Sequence, residues 1–333
     1  MTQNEDARRT IEKMGRPQCK PAEGKPAIQL RDVLEELGKA TVGEEKRQQL
    51  IRSIQELDNN KRKLLVYAAN VGAPGSSVNY LDTLPLVDAL HKLGHIDNLD
   101  LMLQTAGGSG DAAEKIVETC RHHCSTNGEF RVIVPNMAKS AGTLIAIGAD
   151  RIVMGHCSEL GPIDPQITLT VSGVTQQVSA YSFIDARDRL EKKIDKAIAA
   201  GQPYVHFLTE LGSLDQVFVN HCQHLSDFAQ ELGKKWIRKR LERRYPDREA
   251  RKMASETITM LSRVKRHVSH GRFLPARELK EDPKIHLEID ELRRDDEAWR
   301  LIWELYIRCE VYLSMEQNRA KLFETENTSM TLG

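Results

Sequence analysis

No stretch of this sequence approaches the roughly 18 consecutive apolar residues that a membrane-crossing helix requires. The opening MTQNEDARRTIEKMGRPQCK is polar and charged, without the apolar segment of a secretory signal. Neither charge sign is in excess, with 48 Lys and Arg against 48 Asp and Glu. The basic surplus of a nucleic-acid binder is therefore missing, and that class is disfavoured. Cys19, Cys120, Cys124, Cys157, Cys222 and Cys309 are scattered and form no disulfide framework. Free thiols fit a reducing compartment, so the expected location is the cytoplasm. There is no Walker A motif and no strand-anchored GxGxxG, so no ATP, dinucleotide or other cofactor site is expected. Cys120, His122, His123 and Cys124, and the HCQH run from His221 to His224, lack paired C-x-x-C spacing. They are read as helix-surface residues, and no metal is expected.

What is present is an ordinary apolar share, 40% of 333 residues, enough for a substantial core. Residues 1–25 are a loose tail, and 28–60 carry helical spacing. Short apolar runs at 63–70, 99–105, 130–135 and 151–154 predict buried strands. Helical segments at 80–93, 111–124 and 141–149 lie between them, which argues for parallel β-α-β units. ITLTV-SG-VTQQV predicts a hairpin around Ser172-Gly173 within 166–180. The remainder reads as helices over 181–200, 214–244, 247–266 and 295–325. The expected division is an N-terminal tail and helical extension (1–60), an α/β core (61–200), and a mainly helical C-terminal region (201–333) that packs on the core and makes subunit contacts.

The chemistry concentrates between Leu101 and Ile167. One strand ends in Gly107-Gly108 and the next in Lys139-Ser140-Ala141-Gly142, and each then enters a helix. A hydroxyl is a poor nucleophile until a base takes its proton, and the developing oxyanion needs fixed donors. Ser140 at a helix N-terminus would have the Ala141 N–H beside it. Gly107-Gly108 can expose a second N–H, because glycine reaches backbone angles closed to other residues. Taken alone, Ser140 reads as an N-cap and the glycines as a tight turn. Together, at consecutive strand ends, they point to a serine hydrolase. The turn GPIDP (Gly161 to Pro165) is expected to be a rigid structural element in which Asp164 bonds nearby N–H groups. The alternative role for Asp164 is to orient a base.

TAGGSGDAAEKI, VIVPNMAKSAGTLIAIGADRIVMG and SELGPIDPQI resemble the signature blocks of the serine dehydrogenase proteinase family. That family is related to signal peptide peptidase A and the Clp protease proteolytic subunit, within the Clp/crotonase fold. The resemblance is strong over about residues 60–170 and weaker over 180–290. It implies an α/β core of repeated β-β-α units with helical N- and C-terminal extensions, Ser140 as nucleophile, and oxyanion donors at Gly108 and Ala141. The chain departs from the pattern at Ala106, where the family usually has Pro, and at Lys139, where it usually has an apolar residue. A cation there would either lower the Ser140 pKa or point to solvent.

The base is less plainly marked. The histidine of Clp-type enzymes would fall near Pro162 or Ile163 and is missing, and His156 falls several residues early. SHGRFLPAREL (Ser269 to Leu279) resembles the Thr-His-Asp segment of the serine dehydrogenase proteinases, so His270 is the first candidate and His267 the next. A lysine base of the signal peptide peptidase A kind would be Lys192 or Lys193, and it would have to be neutralised by burial. The expected function is hydrolysis of peptides or unfolded protein segments through an acyl-enzyme at Ser140. The rivals are a catalytically silent scaffold or peptide-binding module and a crotonase-type acyl-CoA enzyme. Homo-oligomerisation is expected from the resemblance, and an unfoldase or adaptor is the candidate protein partner.

Overall fold

The computed structural model describes residues 29–37, 43–59, 61–171, 173–262, 270–315 and 319–333. The expected tail over 1–25, Ser172 of the hairpin turn and the candidate base His267 lie outside these residues.

Two helices, α1 (Leu30–Leu37) and α2 (Gly43–Glu56), precede the first strand, β1 (Arg62–Ala69). Then follow α3 (Thr83–Leu93), β2 (Asn98–Gln104), α4 (Gly110–His123), β3 (Phe130–Val134), β4 (Met137–Ala138), α5 (Ala141–Gly148), β5 (Arg151–Gly155) and β6 (Glu159–Leu160). The expected hairpin is β7 (Gln166–Val171) paired with β8 (Val174–Ser179). Next come α6 (Ala180–Ala199), α7 (Val205–Gly212), α8 (Gln216–Leu241), α9 (Asp247–Ser262), β9 (Leu274–Pro275), α10 (Ala276–Glu281), β10 (Ile289–Leu292), α11 (Glu297–Ser314), β11 (Lys321–Thr325) and β12 (Thr328–Leu332).

The main sheet has seven strands in the order β10-β5-β3-β2-β1-β11-β12. β1, β2, β3, β5 and β10 run parallel, and the β11–β12 hairpin adds antiparallel at the β1 edge. Period-2 alternation sorts the side chains onto two faces. Leu65, Tyr67, Leu101, Leu103, Val132 and Ile152 join the larger core with α3, α4, α5, α8 and α9. Leu64, Val66, Met102, Ile133 and Val153 face the opposite way, against α2 and α11. Both faces are covered, as parallel sheets require.

Two features differ from the sequence expectation. The helix expected over 295–325 ends at Ser314, and Lys321–Thr325 is a strand. All five of its residues are buried, so the run carries no alternation to mark it. The C-terminal region also supplies both edges of the main sheet, through β10 and β11–β12. Among the described residues, no helix is long and apolar enough to cross a membrane.

Candidate active site

The site is assembled where β2 and β3 run out. Past the main sheet, the two chains stay paired at one bridge, Thr105 with Ala138. The Thr105 N–H donates to Met137 O at 3.0 Å, and the Lys139 N–H donates to Thr105 O at 3.0 Å. The segments carrying Gly107-Gly108 and Ser140 therefore leave this bridge side by side. Gly107 adopts φ +107°. A β-carbon there would fall 2.7 Å from Ser140 Cβ and 3.3 Å from the Ala141 nitrogen. Only glycine lets the loop close this tightly on the Ser140 turn.

Gly108 is aimed by its neighbours. The Val78 N–H donates to Gly107 O at 2.9 Å, and the Ser109 N–H donates to Val78 O at 2.8 Å. Val78 thus occupies the groups flanking Gly108, and the Gly108 N–H points the opposite way. The Gly108 and Ala141 N–H groups have no protein acceptor among the described residues. The Val78 loop is itself anchored by a buried network. Asp82 Oδ2 accepts from the Tyr67 hydroxyl at 2.6 Å and the Asn79 N–H at 2.8 Å, and Asp82 Oδ1 pairs with the Lys321 ammonium. Burial, reinforced by the Asp82 charge, pushes the Tyr67 phenol well above its usual range.

Ser140 has φ +50° and ψ −114°, and shares a positive φ only with Asn59 among the described non-glycine residues. That conformation is disfavoured for an L-residue and persists only where surroundings over-determine it. The N-cap role is not what the side chain performs: Ser140 makes no capping hydrogen bond to α5. Its hydroxyl has no partner among the described residues. Every residue of α5 is buried, so the helix is a fixed platform. Its first N–H, at Ala141, lies at the positive end of the helix dipole.

The base candidate arrives through a small second sheet, β4-β6-β9. Ala138 pairs with Leu160 in parallel, and Leu160 pairs with Leu274 antiparallel. Ser140 lies two residues past Ala138, and Asp164 four past Leu160. Because β9 runs backwards, His270, four residues before Leu274, emerges at the same end. His270 Nδ1 is 2.8 Å from Asp164 Oδ1. The imidazole is 23% exposed and the carboxylate 5%. Asp164 Oδ2 accepts from Gln166 Nε2 at 2.9 Å and Ser179 Oγ at 2.8 Å. A carboxylate only accepts, so Nδ1 carries a proton, which in the neutral tautomer leaves Nε2 as the acceptor. No hydrogen bond joins Nε2 to Ser140 among the described residues, and catalytic hydrogen bonds are often long before substrate binds.

Asp164 therefore does more than stabilise its turn. Its partnership with His270 spans 106 positions, and the only local signal was an aspartate held between Pro162 and Pro165. The turn is fixed to α5 by Thr143, whose Oγ1 accepts the Gly161 N–H at 3.0 Å and lies 2.7 Å from Ala138 O. Lys139 does not point to solvent. Its ammonium pairs with Glu159 at 2.5 Å and donates to Leu160 O at 3.2 Å and Arg272 O at 2.9 Å.

Lys192 and Lys193 are exposed on α6, the Lys193 ammonium lying 5.2 Å from the Phe207 ring centroid. Neither has the burial that would neutralise a lysine base. His156 packs edge-on against Trp299 with ring centroids 5.9 Å apart. Among the described residues, no group of three or more His, Cys, Asp or Glu is arranged to hold a metal ion.

Comparison with known proteins adds the lineage. Residues 82–199 match the family described as ClpP-like SDH-type serine proteinase. Two uncharacterized proteins of Methanocaldococcus jannaschii are similar over shorter stretches. MJ0137 is 46% identical over 69 residues, covering 21% of this chain and 23% of the relative. MJ1495 is 35% identical over 96 residues, covering 29% of each. The matched stretches thus span about a quarter of the length of these relatives. Among solved structures, a point mutant of the 1510-N membrane-bound stomatin-specific protease aligns over 65% of this chain and 92% of its own, at 14% identity and TM-score 0.28. The family match takes in Gly107, Gly108, Ser140, Ala141 and Asp164, and His270 lies beyond it. Residues 82–199, which lie within a parallel-rich α/β core, are thus similar to the ClpP-like SDH-type serine proteinases.

Proposed function

We propose that the protein is a serine peptidase that cleaves peptides or unfolded segments through an acyl-enzyme at Ser140. The observation that carries this reading is the convergence at one sheet end of a strained serine with a free hydroxyl, two unspent N–H groups and a His270–Asp164 pair. Ser140 Oγ attacks the scissile carbonyl while His270 Nε2 takes its proton. Asp164, bonded to Nδ1, holds the tautomer and stabilises the imidazolium. The Gly108 and Ala141 N–H groups receive the negative charge that develops on the carbonyl oxygen. His270 then returns the proton to the leaving amine, and water, activated by the same nitrogen, releases the acyl group.

The further parts of the reading are a homo-oligomer, with the β7–β8 hairpin and the C-terminal helices as contact surfaces, a cytoplasmic setting, and an unfoldase or adaptor that delivers substrate. The test is labelling by a fluorophosphonate probe, read by intact mass. The wild type is expected to gain one probe and Ser140→Ala none. Failure of the folded, assembled wild type to label would overturn the reading in favour of a silent scaffold.

A further inference from the structure

Lys139 sits between the two halves of the site. Its backbone belongs to the oxyanion side: the N–H donates to Thr105 O at 3.0 Å, and its carbonyl accepts the Gly142 N–H at 2.7 Å. Its side chain belongs to the base side. The ammonium has three N–H donors, and three acceptors surround it: the Glu159 carboxylate, Leu160 O and Arg272 O. Arg272 is two residues from His270. The stem reaches these acceptors by crossing Gly161, where a β-carbon would lie 2.7 Å from Lys139 Cδ and 3.5 Å from Lys139 Cα. The side chain is 11% exposed, and Glu159 compensates its charge.

The segment that Lys139 holds is also tied by the Arg272–Glu278 ion pair at 2.8 Å and by the His270–Asp164 contact. β6 and β9 share two residue pairs, Glu159 with Pro275 and Leu160 with Leu274. Pro275 brings no N–H to that ladder. Reach between nucleophile and base matters steeply, since a misplacement of about 1 Å costs about 100-fold in rate.

We propose that Lys139 is a positioning residue: it fixes His270 relative to Ser140 by fastening the Arg272 carbonyl to the residue that precedes the nucleophile. The inference rests on the peptidase reading above. It assigns Lys139 neither of the roles expected from sequence, lowering the Ser140 pKa or pointing to solvent, because its ammonium is spent on Glu159, Leu160 O and Arg272 O.

A double-mutant cycle tests it. The second-order rate of fluorophosphonate labelling is measured for wild type, Lys139→Met, His270→Ala and the double variant, each confirmed folded by circular dichroism. Lys139→Met is expected to slow labelling about 10- to 100-fold in the presence of His270. In the His270→Ala background, the same substitution is expected to change the rate less than about twofold, because there is no base left to misplace. A loss of equal factor in both backgrounds would overturn the proposal and leave Lys139 a support of the fold or the oxyanion turn. So would a Lys139→Met rate equal to wild type. If Lys139→Met does not fold, Lys139→Arg serves instead, keeping charge and donors but changing reach, with a loss of about three- to tenfold expected only with His270 present. A wild type that does not label would instead refute the peptidase reading, so the two failures are distinguishable.

Discussion

Replacing Asp164 with asparagine removes one negative charge and almost no volume, which isolates what the carboxylate does for His270. Its two oxygens are loaded unequally: Oδ1 faces His270 Nδ1, while Oδ2 accepts from both Gln166 and Ser179. An asparagine in this place keeps its carbonyl oxygen where two donors meet it and turns its NH2 toward the imidazole. His270 Nδ1 must then accept, the ring proton moves to Nε2, and the nitrogen that the peptidase reading assigns to Ser140 loses its lone pair. Restoring the productive tautomer means giving up hydrogen bonds at Ser179 or Gln166, at roughly 1 kcal/mol each. The imidazolium formed during attack also loses a charge-assisted hydrogen bond, worth about 1.5–3 kcal/mol. Together these predict a fall of about 1,000-fold in labelling rate, or roughly 4 kcal/mol of transition-state stabilisation. The assay is fluorophosphonate labelling of Asp164→Asn beside wild type, with circular dichroism as the folding control. A folded variant that labels within about threefold of wild type would refute the claim that Asp164 orients the base.

Two further expectations follow from the geometry. Gly107→Ala places a methyl group 2.7 Å from both Lys139 O and Ser140 Cβ at a φ of +107°; thermal melting should report a loss of about 1–3 kcal/mol, with labelling falling alongside it. Glu310 concerns stability rather than the site. Burial pushes its carboxyl up to about 7, and its Oε1 is buried without a partner among the described residues. Because the folded pKa is raised, the folded state holds the extra proton, and wild-type stability should fall as pH rises from about 4.5 to about 7. Glu310→Gln should therefore match wild type near pH 4.5 and exceed it by about 3 kcal/mol above pH 7, as read by denaturant melts at both values.

Legibility in the sequence followed the range of each interaction. Gly107-Gly108 and Ser140 could be found because each motif is contiguous and sits where an apolar strand meets a helix. The geometry added what no pattern carries, namely that Ser140 is held at positive φ and does not cap its helix. The strands over 62–69 and 98–104 were visible as apolar runs bounded by turn residues. β11 was not, because KLFET is buried along its whole length and continues the apolar spacing of the helix before it. His270, through the resemblance, and Asp164, as a possible orienter of a base, were each singled out in the sequence, but their partnership was not legible. It depends on β6 pairing with β9, a contact between segments more than 110 positions apart, and short strands of two residues leave no periodicity. Lys139 looked like a departure from a family pattern, and only the position of the Arg272 carbonyl shows what the ammonium holds.

The network beneath the Val78 loop has a consequence for the timing of synthesis. A chain made from its N-terminus completes the turn at Ser140 about 180 residues before Lys321 is added. Until then Asp82 lacks its buried counter-ion, and β1 lacks the neighbour it pairs with from Val66 to Ala69. An isolated buried carboxylate is costly, so the Val78 loop that aims Gly108 cannot take its final position early. On the peptidase reading, a nascent chain on the ribosome would carry its serine without a finished oxyanion hole. On that reading, activity would switch on only when β11 and β12 close the sheet.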